Sequence, residues 1–224
     1  MAGTSVPNAV ETWLATPEAA DQFDPSRLQG LERAEWANLK TPRRRRDWAS
    51  SRALLEAARP SGNQSSSLSH SHGYAALAVA PRTIAVGVDV EWLAPREFCG
   101  MARIAYSAAE CALLDSIDDQ QDICAMFYEL WTLKEAFAKA LRLPLVDALR
   151  ECRFADARFD GRADVPTTRH WRATVFAPRP RLRLAVARVA DAQEHHDGPL
   201  DTLEWPRPRT SDWTVIRSLS GNGD

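Results

Sequence analysis

Ten consecutive residues, Thr83 to Trp92 (TIAVGVDVEW), restrict this chain more than any other stretch. Branched residues recur at every second position, Ile84, Val86, Val88 and Val90, and a strand sends alternate side chains to opposite faces. One face therefore belongs to a core, and the other carries Ala85, Gly87, Asp89 and Glu91. Asp89 and Glu91, two residues apart, lie on one side within reach of a single hard cation. The small Ala85 and Gly87 on that face leave room for a bulky ligand against the backbone. Two solvent-facing acids at a strand end give the same dipeptide pattern.

Around this strand the chain reads as a mixed fold. Tyr74 to Ala80 (YAALAVA) is a second strand, and Pro81-Arg82 between the two predicts a hairpin. Ser61 to Ser67 (SGNQSSS) has no apolar residue and predicts an exposed loop. Residues 31 to 58 read as helical around the Arg43 to Arg46 run, with an amphipathic segment from Ser50 to Leu55, and end at Arg59-Pro60. Between Ser107 and Leu141 the pattern is again helical, with Met126, Leu130, Leu133, Phe137 and Ala140 forming one buried stripe. His170 to Ala177 and Leu182 to Val189 form another strand pair. Strand pairs and helices in both halves predict an α+β fold of two lobes, residues 1–98 and 99–224, with a polar tail from about residue 191. That tail holds the adjacent His195 and His196, which read as a surface pair without a third ligand.

Further polar groups stand out at spacings that structure makes meaningful. In Trp131-Thr132-Leu133-Lys134-Glu135-Ala136-Phe137-Ala138-Lys139, the residues Trp131, Glu135 and Lys139 share one helix face beside the apolar stripe. A solvated ion pair accounts for Glu135 and Lys139, whereas the tryptophan on the same line points to a partly covered surface. Ser69-His70-Ser71, just before the first strand, offers hydroxyl and imidazole donors for phosphate oxygens. No G-x-S-x-G elbow accompanies these serines, so hydrolase chemistry is set aside. Ser107 and Glu110 fit a capping box that opens a helix.

Composition removes several function classes. No apolar run reaches the roughly 20 residues of a membrane span, and the first residues lack the basic start and apolar core of a secretory signal. A cytoplasmic protein is expected. Cys99, Cys111, Cys124 and Cys152 show no C-x-x-C pairing and read as reduced thiols filling the core. The Arg43 to Arg46 run lacks interleaved aromatics and sits in a chain of net charge -2, which argues against a nucleic-acid-binding protein.

Taken together, Ser69-His70-Ser71, Gly87-Val88-Asp89-Val90-Glu91 and Trp131 to Lys139, with 46 positions from Asp89 to Glu135, resemble the 4'-phosphopantetheinyl transferase superfamily in order and spacing. Tyr106 to Glu110 is similar to its aromatic-Ser-x-x-Glu element. Length and layout resemble the two-lobed branch that activates secondary-metabolite synthases. The resemblance implies two pseudo-symmetric lobes, each an antiparallel sheet packed with a long helix. It also implies transfer of phosphopantetheine from coenzyme A to a serine of an acyl or peptidyl carrier protein, the holo-acyl-carrier-protein synthase reaction. Asp89, Glu91 and Glu135 would hold Mg²⁺, with Glu135 and Lys139 catalytic. Lys134 and Lys139 would face the diphosphate, Ser69 and His70 would contact a coenzyme A phosphate, and Arg46 and Arg52 would take the 3'-phosphate. Arg46-Asp47-Trp48-Ala49-Ser50-Ser51 departs from the family's R-x-F-L-A at this point. A monomer is implied, since the shorter branch builds its site between subunits. The alternative within the same family is a coenzyme A-binding regulator without turnover.

Overall fold

The computed structural model describes residues 9–154, 163–191, 198–206, 209–210 and 213–221. Its strands are β1 (Val10–Ala15), β2 (Gln64–Ser71), β3 (Tyr74–Pro81), β4 (Ile84–Trp92), β5 (His170–Ala177), β6 (Leu182–Ala190), β7 (Leu200–Trp205), β8 (Arg209–Thr210) and β9 (Thr214–Gly221). Its α-helices are α1 (Gly30–Asn38), α2 (Pro42–Ala58), α3 (Phe98–Ala105), α4 (Ala108–Asp115), α5 (Gln120–Leu141) and α6 (Leu145–Glu151). One sheet runs β2-β3-β1-β7-β8 and the other β4-β6-β5-β9. All neighbours are antiparallel except β1 and β7.

Alternation along the strands decides how the layers stack. Ile84, Val86, Val88 and Val90 of β4 meet Val10, Leu14, Ala76, Ala78 and Ala80 of the first sheet in one cluster, so the two sheets pack face to face. Leu77 and Val79 on the back of the first sheet pack on Leu54 of α2. Ala185, Ala187 and Val189 on the back of the second sheet pack on Leu130, Leu133 and Phe137 of α5. The order of layers is α2, sheet, sheet, α5, an α+β fold with one long helix on each sheet. Leu133 and Phe137 are fully buried; each stabilises the fold by about 1.5–3 kcal/mol.

The strand pair at His170 to Val189 forms as expected, as β5 and β6. The hairpin expected between Tyr74 and Trp92 does not. β3 has β2 on one edge and β1 on the other, which leaves no edge for β4. The chain instead steps across at Arg82–Thr83 and delivers β4 to the second sheet beside β6. Nor is Ser61 to Ser67 a loop throughout, because β2 begins at Gln64. A polar strand is tolerated there because β2 is the edge strand of its sheet. The segment past residue 191, expected as a polar tail, supplies β7, β8 and β9, while His195 and His196 lie outside the described residues. Strands cross the expected cut at residue 98, since β4 joins the later sheet and β7 the earlier one. Of the cysteines, Cys111, Cys124 and Cys152 are free thiols, the last two buried.

Two glycines set the close approaches. At the β2–β3 turn His72 and Gly73 both have positive φ (53° and 86°), the pattern of a two-residue hairpin turn. The Gly73 N–H donates to the buried Asp47 carboxylate of α2, which ties helix to turn. Gly87 has a different role from the one expected. Its open side is filled by α5 rather than a ligand: a Cβ would overlap the Ala136 carbonyl and lie 2.7 Å from the Ala140 nitrogen. Gly87→Ala should therefore push α5 off β4 and cost about 1–3 kcal/mol in urea denaturation, together with weakened divalent-cation binding, because the obstacle is backbone.

Candidate metal centre

Close packing of α5 on β4 brings together three carboxylates. Asp89, Glu91 and Glu135 each offer an oxygen within 4.8 Å of the others. Two come from alternate positions of β4 and the third from α5, the convergence expected from the sequence. Lys139, one turn beyond Glu135, donates to Asp89 Oδ1 at 2.8 Å and to the Val88 carbonyl at 2.9 Å, with Glu135 at 3.8 Å. Trp131, Glu135 and Lys139 are all half-buried, and Trp131 stacks on Phe127. The partly covered face anticipated from the tryptophan is there.

The carboxylates are oriented from the neighbouring sheet. On β2, Ser69 donates to Asp89 Oδ1 at 2.6 Å and Ser71 to Glu91 Oε2 at 2.7 Å. Ser67 accepts from the Val88 N–H and Ser71 from the Trp92 N–H. Every second residue of β2 is thus a hydroxyl laid along β4. Ser69 is thereby engaged with the acid cluster. Ser67 was missed; the period-two serines at 67, 69 and 71 were the signal. His70 lies on the opposite face of β2 and is exposed.

Three acids against one lysine leave an excess of negative charge. Burial, with the Asp89 charge beside it, pushes the Glu135 carboxyl up from the usual 4.5 to about 7. Burial and the same neighbour raise Glu91 as well. Asp89 is 2% exposed, and its buried Oδ2 has no hydrogen-bond partner among the described residues. An orphaned oxygen among all-oxygen donors fits a hard divalent cation such as Mg²⁺.

Other expected site residues sit elsewhere. Lys134 is fully buried, pairs with Glu110 Oε2 at 2.9 Å, and donates to the carbonyls of Leu149 and Cys152. One residue before Glu135 on a helix is roughly 100° around the axis, and that rotation turns Lys134 into the core. The expectation that it faces a diphosphate is overturned. Glu110 forms the expected capping box with Ser107 and also accepts from the Phe154 N–H. Arg52 is held by Glu32 and Glu35 of α1 and lies 4.6 Å over the Trp48 ring, so it braces α1 against α2 instead of presenting a free fork. Arg46 is exposed, its stem lying over Gly73, and forms no ion pair among the described residues.

Two cavities open toward the two ends of β4. One, of about 740 Å³, is lined by Lys139 with Gln64, Ser66, Arg82, Arg142 and Arg169. The other, of about 560 Å³, opens beyond the far end of β4. Arg82, Arg142 and Arg169 were not singled out from sequence, because they are scattered along the chain and only the fold collects them. Residues 85–187 match the family model of the 4'-phosphopantetheinyl transferase superfamily. No curated protein matches the chain.

Two outcomes test this description. A raised carboxyl contributes stability that is present below its ordinary value and lost as pH rises through its folded value, here from 4.5 to about 7. The gain in melting temperature from Mg²⁺ over EDTA should therefore be larger at pH 8 than at pH 5.5, and the difference should flatten in Glu135→Gln. Lys134→Met leaves Glu110 buried without its cation, so it should cost about 3–5 kcal/mol in urea denaturation. The cation-dependent rise in melting temperature should survive in that variant.

Proposed function

Since the chain belongs to the 4'-phosphopantetheinyl transferase superfamily, we propose that it moves the phosphopantetheine arm of coenzyme A onto a serine of an acyl or peptidyl carrier protein, with Mg²⁺, releasing adenosine 3',5'-bisphosphate. One observation carries the reading: Asp89, Glu91 and Glu135 converge within 4.8 Å, with Lys139 joined to them, beside a polar groove. These three carboxylates would hold Mg²⁺, which when bound neutralises charge on the diphosphate.

The chain's own residues do the rest. Lys139, fixed by the Val88 carbonyl and Asp89, presents its ammonium to the groove it lines, where the diphosphate would lie. Arg82 and Arg142 line the same groove and suit the phosphates of the nucleotide end, with Arg169 beside them held by Asp191. In the transfer the carrier serine Oγ bonds to the phosphorus bearing pantetheine, and the bond from that phosphorus to the nucleotide phosphate oxygen breaks. Glu135 would take the serine proton, directly or through a water, as the acid that α5 brings to the cluster. Ser69 and Ser71 keep Asp89 and Glu91 in place.

One chain supplies all three carboxylates, which supports a monomer; the two-lobed branch that activates secondary-metabolite synthases in the cytoplasm is the reading that length and motif order favour. No helix among the described residues is long and apolar enough to cross a membrane.

Incubation of the protein with Mg²⁺, coenzyme A and a set of apo carrier proteins should add about 340 Da to a carrier, the mass of the transferred arm. Asp89→Ala should lower the rate about a thousandfold, as expected for losing several kcal/mol of charge stabilisation. An unmodified carrier in every case, with coenzyme A still bound, would reduce the protein to a coenzyme A-binding regulator.

A further inference from the structure

Of the three β2 serines that meet β4, two hold carboxylates: Ser69 bonds Asp89 and Ser71 bonds Glu91. Ser67 meets backbone instead, its Oγ accepting from the Val88 N–H at 3.0 Å. β4 ends its sheet, with β6 on one side and, among the described residues, no strand of that sheet on the other. The N–H and C=O of one strand residue point to the same side, and those of its neighbours to the opposite side. Val88 turns both groups toward the open edge, where side chains of two other elements meet them. Ser67 of β2 takes the N–H, and Lys139 of α5 donates to the carbonyl at 2.9 Å. Val88 is fully buried, so without these two side chains both groups would be left unmet.

Lys139 is placed by that carbonyl, by Asp89 Oδ1 at 2.8 Å and by Glu135 at 3.8 Å. The two carboxylates are also residues that would hold a cation. The Val88 carbonyl is therefore the one of these anchors that a cation does not share. Its direction follows from the φ and ψ of Val88, the residue that Ser67 fixes from the N–H side. An edge strand has a ladder on one side only, and the Ser67 bond supplies a restraint on the other.

We infer that Ser67 is a positioning residue for the transfer: through Val88 it sets the direction of the Lys139 ammonium. The inference rests on the transferase reading for its chemistry and names the residue that aims the cation of that reading. A fixed cation acts most strongly on charge that builds in the transition state, so misaiming it lowers kcat more than it weakens binding.

Kinetics on two variants tests the inference. Ser67→Ala should lower kcat about tenfold, with the KM for coenzyme A within about threefold of wild type. Ser67→Thr, which keeps the hydroxyl, should bring kcat back to within about threefold of wild type. In a Lys139→Met background, Ser67→Ala should lower kcat by less than about twofold more, because residues that act through one another do not add. A second readout needs no turnover. The chain has three lysines, Lys40, Lys134 and Lys139, of which Lys40 is exposed and Lys134 buried, so acetylation read by mass spectrometry separates them. Labelling of Lys139 relative to Lys40 should quicken about fivefold in Ser67→Ala and stay at the wild-type ratio in Ser67→Thr. Should Ser67→Ala fail to fold in urea titration, hydrogen exchange at the Val88 amide of the wild type decides, since its bond to Ser67 requires protection like that of the β4 ladder amides. A freely exchanging Val88 amide, a wild-type labelling ratio in Ser67→Ala, or a kcat loss that multiplies fully with Lys139→Met overturns the inference. Should the wild type modify no carrier, the transferase reading fails by itself, and the labelling ratio still decides whether Ser67 places Lys139.

Discussion

The contact between α5 and β4 at Gly87 governs this molecule. A helix over a sheet is ordinarily held off by side chains; here the Ala136 carbonyl occupies the space a Cβ would need. That approach, with Ala185 and Ala187 of β6 on the same face of the sheet, lowers α5 onto the sheet. Glu135 and Lys139 are thereby brought to Asp89 and Glu91, close enough for a direct bond between the Lys139 ammonium and Asp89. With α5 farther out, the carboxylates would belong to separate surfaces and no excess charge would gather.

Gathering them has an electrostatic cost, and the surroundings explain why the cluster persists. Burial and, after it, like charges so close disfavour full ionisation, hence the Glu135 carboxyl pushed up to about 7. Lys139 offsets part of that repulsion, and the β2 hydroxyls direct the acids from the other sheet. The remaining charge is what a divalent cation would neutralise. Lys134 and Glu110, equally charged and fully buried, are by contrast paired with each other and with backbone groups. Two neighbouring positions on one helix therefore serve opposite ends, one structural and one chemical.

Much of the site was legible from periodicity. Alternation along Thr83 to Trp92 put Asp89 and Glu91 on one face, and four-residue spacing put Trp131, Glu135 and Lys139 on another. Both follow from backbone geometry alone. The readings that failed needed partners. A strand pattern at Tyr74 to Pro81 does not say which edges are taken, so β3 and β4 read as a hairpin although they lie in different layers. Small residues at Ala85 and Gly87 suggest space without saying whether ligand or helix fills it. Arg52 looked like a free cation because its partners Glu32 and Glu35 lie on another helix.

What the sequence determined by itself, then, is local: which residues share a face of a strand or helix, where a helix is capped by Ser107 and Glu110, and which side chains can ligate a hard cation. Tertiary structure alone decided which faces meet. It laid the β2 serines along β4, turned Lys134 into the core, collected Arg82, Arg142 and Arg169 around one groove and gathered Arg96, Arg181 and Arg183 around another. The physical reason is that periodicity is set by the dihedral angles of one segment, whereas burial, pairing and net charge at a point depend on segments distant along the chain.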